Sequence, residues 1–268
     1  MAIGILIIGD EILSGKRADG HFAAAVRILG ERGLELGWAQ LLGDDRDRIT
    51  AALARSFAST DIVFSFGGIG ATPDDHTRQA AAAALGRALV RHPGAVAEIE
   101  ARFGAAAWPR RVIMADFPEG AVPIPNPVNR VPGFSVNDHH FLPGFPEMAW
   151  PMMAAVLDAR YASLRRAAPA CEAALVVSGA GESDLLPLMQ AVVRDYPDLK
   201  LASLPRFAAD VPEIELAVRG DAARADAARE FLRAEIAKLG YDVRDAPAPR
   251  HAVPDADPAH GPARAPSR

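Results

Sequence analysis

The chain has 268 residues, half of them hydrophobic, enough to bury the core of one large α/β domain and a smaller companion. A formal charge of −5 argues against a sequence-independent nucleic-acid binder, which needs a concentrated basic face, although a local basic patch stays open. A single cysteine, Cys171, excludes a disulfide framework and every multi-cysteine zinc site, and it fits a reducing compartment, with the cytoplasm as the expected location.

In chain order, the opening MAIGILIIGDEILSG is apolar, but it has no basic leader and meets Asp10 and Glu11 too early for a signal peptide or a membrane span. It reads as a buried strand over residues 2–8. The alternation continues with helix over 17–32, strand over 34–42, helix over 46–58, strand over 61–66 and helix over 73–86, punctuated by Gly9, Gly33 and Gly67. Short Ile, Leu, Val and Phe runs between longer alanine-rich segments are the pattern of βα units around a mostly parallel sheet. Residues 93–104 and 108–115 predict further helices, and the proline-punctuated PEGAVPIPNPVNRVPGF predicts short strands and loops. HHFLPGFPEMAWPMMAAVLDARY then reads as a strand, a tight loop and a helix from about Pro146.

A compositional change near 159–171 marks a boundary between a first domain, 1–161, and a second alternation over 172–244. There the expected elements are strand 172–178, helix 182–195, strands 199–204 and 211–219, and helix 222–239, a compact βαββα unit. The tail, 245–268, has almost no large apolar residue and much proline, so it is expected to be disordered.

In open parallel sheets, ligands collect beyond the carboxyl ends of the strands, where loops and helix N-termini converge. Three loops compete for that place: GDEILSGKR at 9–17, GGIGATPDDHT at 67–77 and LPGFPEM at 142–148. The first resembles a phosphate-binding P-loop but fails it, since five residues rather than four separate Gly9 from Gly15 and Arg17 stands where a Ser or Thr is required. In the second, Thr72, Pro73 and Asp75 fit the N-cap, N1 and N3 positions of a capping box, worth about 0.5 to 2 kcal/mol. Capping leaves Gly67, Gly68 and Gly70 unexplained. It also leaves open a second reading, in which Asp74 and Asp75 hold a divalent cation between the loop and a phosphorylated ligand, because a carboxylate otherwise repels phosphate. The third loop is an ordinary proline-glycine turn when taken alone. His139 and His140 are adjacent on a strand and point to opposite faces, so they read as structural, whereas His76 within the glycine loop is better placed to touch a ligand. The chain has neither G-x-S-x-G nor H-E-x-x-H, so nucleophilic and zinc hydrolase readings have no support.

Together, G-D-E-I-L-S-G after the first strand, G-G-I-G-x-T-x-D-D-x-T after the third and L-P-G-x-P-E-M before a helix resemble the MoaB/Mog-type molybdopterin-binding domain. The similarity, from Ile3 to about Tyr161, is closest to the amino-terminal domain of the competence/damage-inducible protein A family, and the segment from GAGESDLLPLMQ resembles the small KH-like domain that follows there. No counterpart of the deamidase domain that ends many of those proteins is expected. The resemblance implies a three-layer α/β sandwich with a mostly parallel sheet and a homo-oligomeric state. It implies a catalytic and metal-binding role for Asp75 beside Asp74 and Thr77, with Mg²⁺, Mn²⁺ or Co²⁺ as the metal. It implies ligand contacts from Gly67, Gly68, Gly70 and Thr72, from Gly9, Asp10, Glu11 and Ser14, and from the closing-loop residues Pro143, Gly144 and Pro146. The implied ligand is a small-molecule phosphate, either molybdopterin or a nucleotide. Two activities follow: binding or adenylylating a pterin phosphate, or metal-dependent hydrolysis of a nucleotide pyrophosphate such as ADP-ribose. An RNA-binding role for the small domain is disfavoured, because 172–244 has no G-x-x-G clamp. Ala71, Pro73 and Asp19-Gly20-His21 depart from the family pattern, replacing a proline, a lysine and a threonine-asparagine element. The loss of that lysine and asparagine removes transition-state contacts more readily than it removes binding.

Overall fold

The computed structural model describes residues 1–165, 171–206 and 211–247. They form two units, 1–165 and 171–247. In the first, β1 (Ile3–Ile8) is buried at every position, as a strand covered on both faces must be. It is followed by a single turn of helix, α1 (Asp10–Leu13), then α2 (His21–Gly30), β2 (Trp38–Leu42), α3 (Arg46–Phe57), β3 (Ile62–Phe66) and α4 (Thr77–Leu85). A two-stranded antiparallel ribbon, β4 (Leu89–Arg91) with β5 (Asp116–Pro118), brackets α5 (Pro93–Phe103) and two 3-10 turns. The chain then runs through β6 (Val122–Ile124), β7 (Gly133–Val136) and β8 (His139–Leu142) into α6 (Pro146–Arg160).

The six-stranded sheet has the order β2-β1-β3-β8-β7-β6. Its first four strands are parallel, and β7 and β6 are added antiparallel at one edge. One face buries Ile5, Ile7, Phe64 and Phe66 against Ile28 and Leu29 of α2 and Met152, Met153 and Leu157 of α6. The other buries Leu6, Ile8 and Val63 against Ile49 and Leu53 of α3, Ala80 and Ala81 of α4 and Ile99 of α5. At roughly 1.5 to 3 kcal/mol for each large apolar side chain, these two cores fix the carboxyl ends of β1, β3 and β8 at one edge.

Several elements differ from the sequence expectation. Helix 17–32 is reduced to His21–Gly30, with a separate turn at Asp10–Leu13. Strand 34–42 begins only at Trp38; Leu34 and Leu36 pack into the core from a loop. The helix expected over 108–115 is a 3-10 turn at Arg111–Ala115.

In the second unit, β9 (Cys171–Ser178), α7 (Glu182–Asp195), β10 (Lys200–Arg206), β11 (Glu213–Gly220), α8 (Ala222–Lys238) and β12 (Asp242–Asp245) form an antiparallel sheet of order β10-β11-β9-β12. Leu175 and Val177 alternate inward with Leu216 and Val218, against Leu185 and Val192 of α7 and Leu232 and Ile236 of α8. The expected βαββα unit is therefore one strand short: β12 pairs along β9 from Ser178 to Leu175 and completes a split βαβ arrangement. Asp245 belongs to that strand rather than to a disordered tail; the rest of the tail, from 248, lies outside the described residues. Among the described residues, no helix is long and apolar enough to cross a membrane.

Candidate functional site

The glycine loop after β3 is shaped from within. Gly67 and Gly68 have φ of 100° and 68°, where side chains are strained. A Cβ on Gly67 would stand 2.2 Å from the carbonyl oxygen of Ile8, and one on Gly68 2.2 Å from Thr77 Oγ1. The two glycines thus let the loop lie against the end of β1 and the start of α4. Thr77 is fully buried; its amide donates to the Gly68 carbonyl at 2.9 Å and its hydroxyl to the Gly67 carbonyl at 3.0 Å. It braces the loop.

Asp75 has the same inward role. Its Oδ1 accepts from the Gly70 amide at 2.9 Å, and its Oδ2 accepts from the Thr72 amide at 2.8 Å and from the Thr72 hydroxyl. Three of its roughly four acceptor positions are thereby used. The capping-box expectation needs correction. One half of the box exists, the Thr72 amide donating to the Asp75 carboxylate, but the Asp75 amide donates to the Thr72 carbonyl at 3.1 Å rather than to its hydroxyl, and the pair closes a turn; α4 begins later, at Thr77, with His76 as its N-cap residue. The physical reason is that the Asp75 carboxylate is drawn back to Gly70. Behind the loop, Arg78 is 2% exposed and donates from Nη2 to the Gly70 carbonyl at 2.6 Å and from Nη1 to the Ile113 carbonyl, while its Nε has no partner. Burial lowers its pKa, and the charges of Asp116 and Asp75 oppose that.

The first loop is tied to the end of β2. The Asp10 amide donates to Asp44 Oδ2 at 2.9 Å and the Asp44 amide donates to Asp10 Oδ1 at 3.1 Å. Burial raises the Asp44 pKa, and the like charges of Asp10, Glu11 and Asp74 add to the rise against the hydrogen bond from Asp10. Asp74 is exposed, and hydrogen bonding lowers its pKa. Asp10, Glu11, Leu13, Ser14 and Lys16 line an open groove. Asp44 was missed by sequence reasoning, yet Gly43-Asp44 after β2 repeats the glycine-acid step of Gly9-Asp10 after β1. Among the described residues no three His, Cys, Asp or Glu side chains are grouped to hold a metal by themselves.

The closing loop meets the glycine loop directly. The Gly67 amide donates to the Leu142 carbonyl at 3.0 Å, and a Cβ on Gly144 would stand 3.3 Å from Gly67 Cα. Pro143 and Gly144 form the turn, and Pro146 opens α6 in its first turn, where its missing N–H costs nothing. His21, also missed, is buried against this loop. His139 and His140 do lie on opposite faces: His139 Nε2 bonds Ser56 at 2.8 Å, while His140 bonds Ser135 and Tyr161 at 2.8 and 2.7 Å. Burial lowers their pKa values to about 4 and about 3. They belong to the frame, at the amino end of β8. The opposite end, at the carboxyl ends of the parallel strands, gathers Gly9, Asp10, Glu11 and Ser14 with the 67–77 loop and Pro143, Gly144 and Pro146.

Residues 4–162 match the family model described as "Probable molybdopterin binding domain". A protein of Aeropyrum pernix is 30% identical over 257 residues, covering 90% of this chain and 96% of that one. A CinA-like protein of Syntrophotalea carbinolica is 35% identical over 188 residues, 67% of this chain and 46% of the relative. The chain thus spans less than half the length of the CinA-like relative it matches. Among solved structures, the protein CinA from Thermoplasma acidophilum, described as of unknown function, is 30% identical, with a TM-score of 0.54 over 58% of this chain and 95% of that one.

Proposed function

We propose, for a chain that belongs to the family of probable molybdopterin binding domains and is related to the amino-terminal domain of CinA-like proteins, that it binds a pterin phosphate or a nucleotide through its phosphate groups at the ends of β1, β3 and β8. The observation that carries this reading is that the end of the sheet gathers a glycine loop, its Gly70 carbonyl held by the buried cation Arg78, and a rim of carboxylates in which Asp44 feels the charges of Asp10, Glu11 and Asp74. The loop with its buried cation favours an anion. The rim opposes one, unless a second cation is shared.

A divalent cation fits this rim in one way. Mg²⁺-type ions are commonly bound by one or two carboxylates completed by phosphate oxygens and water, rather than by an all-protein cage. Asp74, with Asp10, Glu11 or Asp44, would hold Mg²⁺, Mn²⁺ or Co²⁺, and Asp75 has about one free acceptor position to add. When bound, such an ion supplies charge neutralisation at phosphate oxygens and activation of water. The chain's own residues do the rest: Asp10 and Asp44 lock the first loop to the second strand end, Asp75 and Thr77 hold the glycine loop open to a phosphate, and Arg78 offsets negative charge from behind. The enzymatic reading this supports is hydrolysis of a nucleotide pyrophosphate such as ADP-ribose. The test is AMP release from ADP-ribose with each metal, comparing the parent with Asp74→Asn and Asp75→Asn. Activity in the parent and its loss in folded Asp74→Asn is expected. Undiminished turnover in both variants removes the carboxylates from the chemistry.

Pro73, standing where related domains carry a lysine, favours a second reading, a non-catalytic pterin or nucleotide module; calorimetric binding without turnover is its signature. Transfer of adenylate from ATP to molybdopterin would instead place the chain in cofactor synthesis.

A further inference from the structure

We propose that His21 is the positioning residue that holds the closing loop against the glycine loop and so sets the width of the ligand crevice. The inference rests on the binding reading above for its consequence, though not for its geometry. The indole of Trp150 is a donor only, and its Nε1 donates to His21 Nδ1 at 3.3 Å. The ring proton therefore sits on Nε2, which donates to the Gly144 carbonyl at 3.2 Å. The imidazole is stacked on Phe66 with centroids 4.5 Å apart and planes 16° apart. Phe66 is the last residue of β3, directly before Gly67. His21 itself is fixed at the head of α2 by Asp19, whose Oδ1 accepts from the His21 amide at 2.9 Å.

One side chain of α2 thus touches the end of β3 at Phe66 and the continuous segment of closing loop and α6 at Gly144 and Trp150, a segment far from both in sequence. It fixes the carbonyl of Gly144, whose backbone packs on Gly67, and it does so from a ring clamped between Phe66 and Trp150. The Gly67–Leu142 backbone hydrogen bond joins the two loops at one point; beyond it Pro143 and Gly144 carry no polar side chain, and His21 supplies the bond that fixes the Gly144 carbonyl. Burial lowers the His21 pKa, against the Gly144 hydrogen bond and the charge of Asp19, so the neutral tautomer required by the geometry is the one present at neutral pH.

The test compares His21→Phe, which keeps the stack and loses the donor, with His21→Gln, whose amide restores a donor near the Nε2 position. Amide hydrogen exchange is measured in the full chain at Gly67, Met148 and Ala149, with Val63 as a reference at the far end of β3, and affinities for ADP-ribose and for molybdopterin are measured by calorimetry with Ca²⁺ in place of the metals tested for hydrolysis. The expected result is exchange about tenfold faster at Gly67, Met148 and Ala149 in His21→Phe, the scale of one lost hydrogen bond, with Val63 unchanged and His21→Gln within about threefold of the parent. ADP-ribose affinity should fall and recover in parallel. Unchanged exchange in His21→Phe overturns the proposal, as does acceleration spread equally to Val63, which would mark His21 as ordinary packing. A parent that binds neither ADP-ribose nor molybdopterin refutes the binding reading alone, since the exchange pattern still decides what His21 does.

Discussion

Lowering the pH should unfold this protein through two histidines remote from the crevice. His139 and His140 are 3% and 0% exposed, with pKa values lowered from 6.5 to about 4 and about 3 by burial. The geometry gives the same answer. Tyr161 donates its hydroxyl to Asp138 at 2.8 Å, so it accepts from His140 Nε2, and Nδ1 is left to accept from Ser135. A second proton on His140 would confront the Ser135 hydroxyl, and one on the partnerless His139 Nδ1 would have no acceptor. A base whose folded pKa is depressed contributes stability that is full above its unfolded value, near 6.5, and is lost as the pH falls toward the folded value. Each histidine then removes about 1.4 kcal/mol per pH unit, so the pair removes roughly 5 kcal/mol over about two units, against a total stability of about 5 to 15 kcal/mol for a typical domain. His21 has the same sign; Asp44, raised by burial, has the opposite one. Urea midpoints followed from pH 7 toward pH 4 (about half-unit steps) at fixed salt measure the slope. His140→Gln, which keeps a donor near the Nε2 position and cannot titrate, should reduce it by nearly half. A variant slope equal to that of the parent would refute the assignment.

Gly67→Ala should cost about 2 to 4 kcal/mol by thermal unfolding, because the new Cβ meets the backbone oxygen of Ile8, which cannot rotate away. Arg78→Met should destabilise by about 2 kcal/mol, leaving the Gly70 and Ile113 carbonyls unpaired, and should weaken nucleotide affinity about tenfold in calorimetry. Ending the chain after Tyr241 deletes β12 and all that follows, so the calorimetric transition of the second unit should move down.

The sheet was legible because its strands are short apolar runs set between helices, and Ile3–Ile8 and Ile62–Phe66 fall within two residues of their expected bounds. The early start given to α4 reflects a competition that local pattern does not display: Asp75 fits a capping box, but its carboxylate finds two loop amides first. The three loop glycines suggested close approach, and the approach is to Ile8, Thr77 and Asp75 of the protein itself. Asp44 carried a readable signal. His21 was marked only as part of the Asp19-Gly20-His21 departure from the family pattern, and its contact was not readable, since its partner Gly144 lies 123 residues away. β12 was lost because DVRD offers one apolar residue and its pairing with β9 is long-range.

Tyr161 closes α6, and its hydroxyl is held by Asp138 and His140 at the amino end of β8, the end of the sheet away from the crevice. It works as a mooring post. The chain thus leaves the first unit from a residue already fastened to its frame. A domain moored in this manner can serve as an interchangeable part, which accords with CinA-like relatives whose matches to this chain, over 139 and 188 residues, cover only 34% and 46% of their own length.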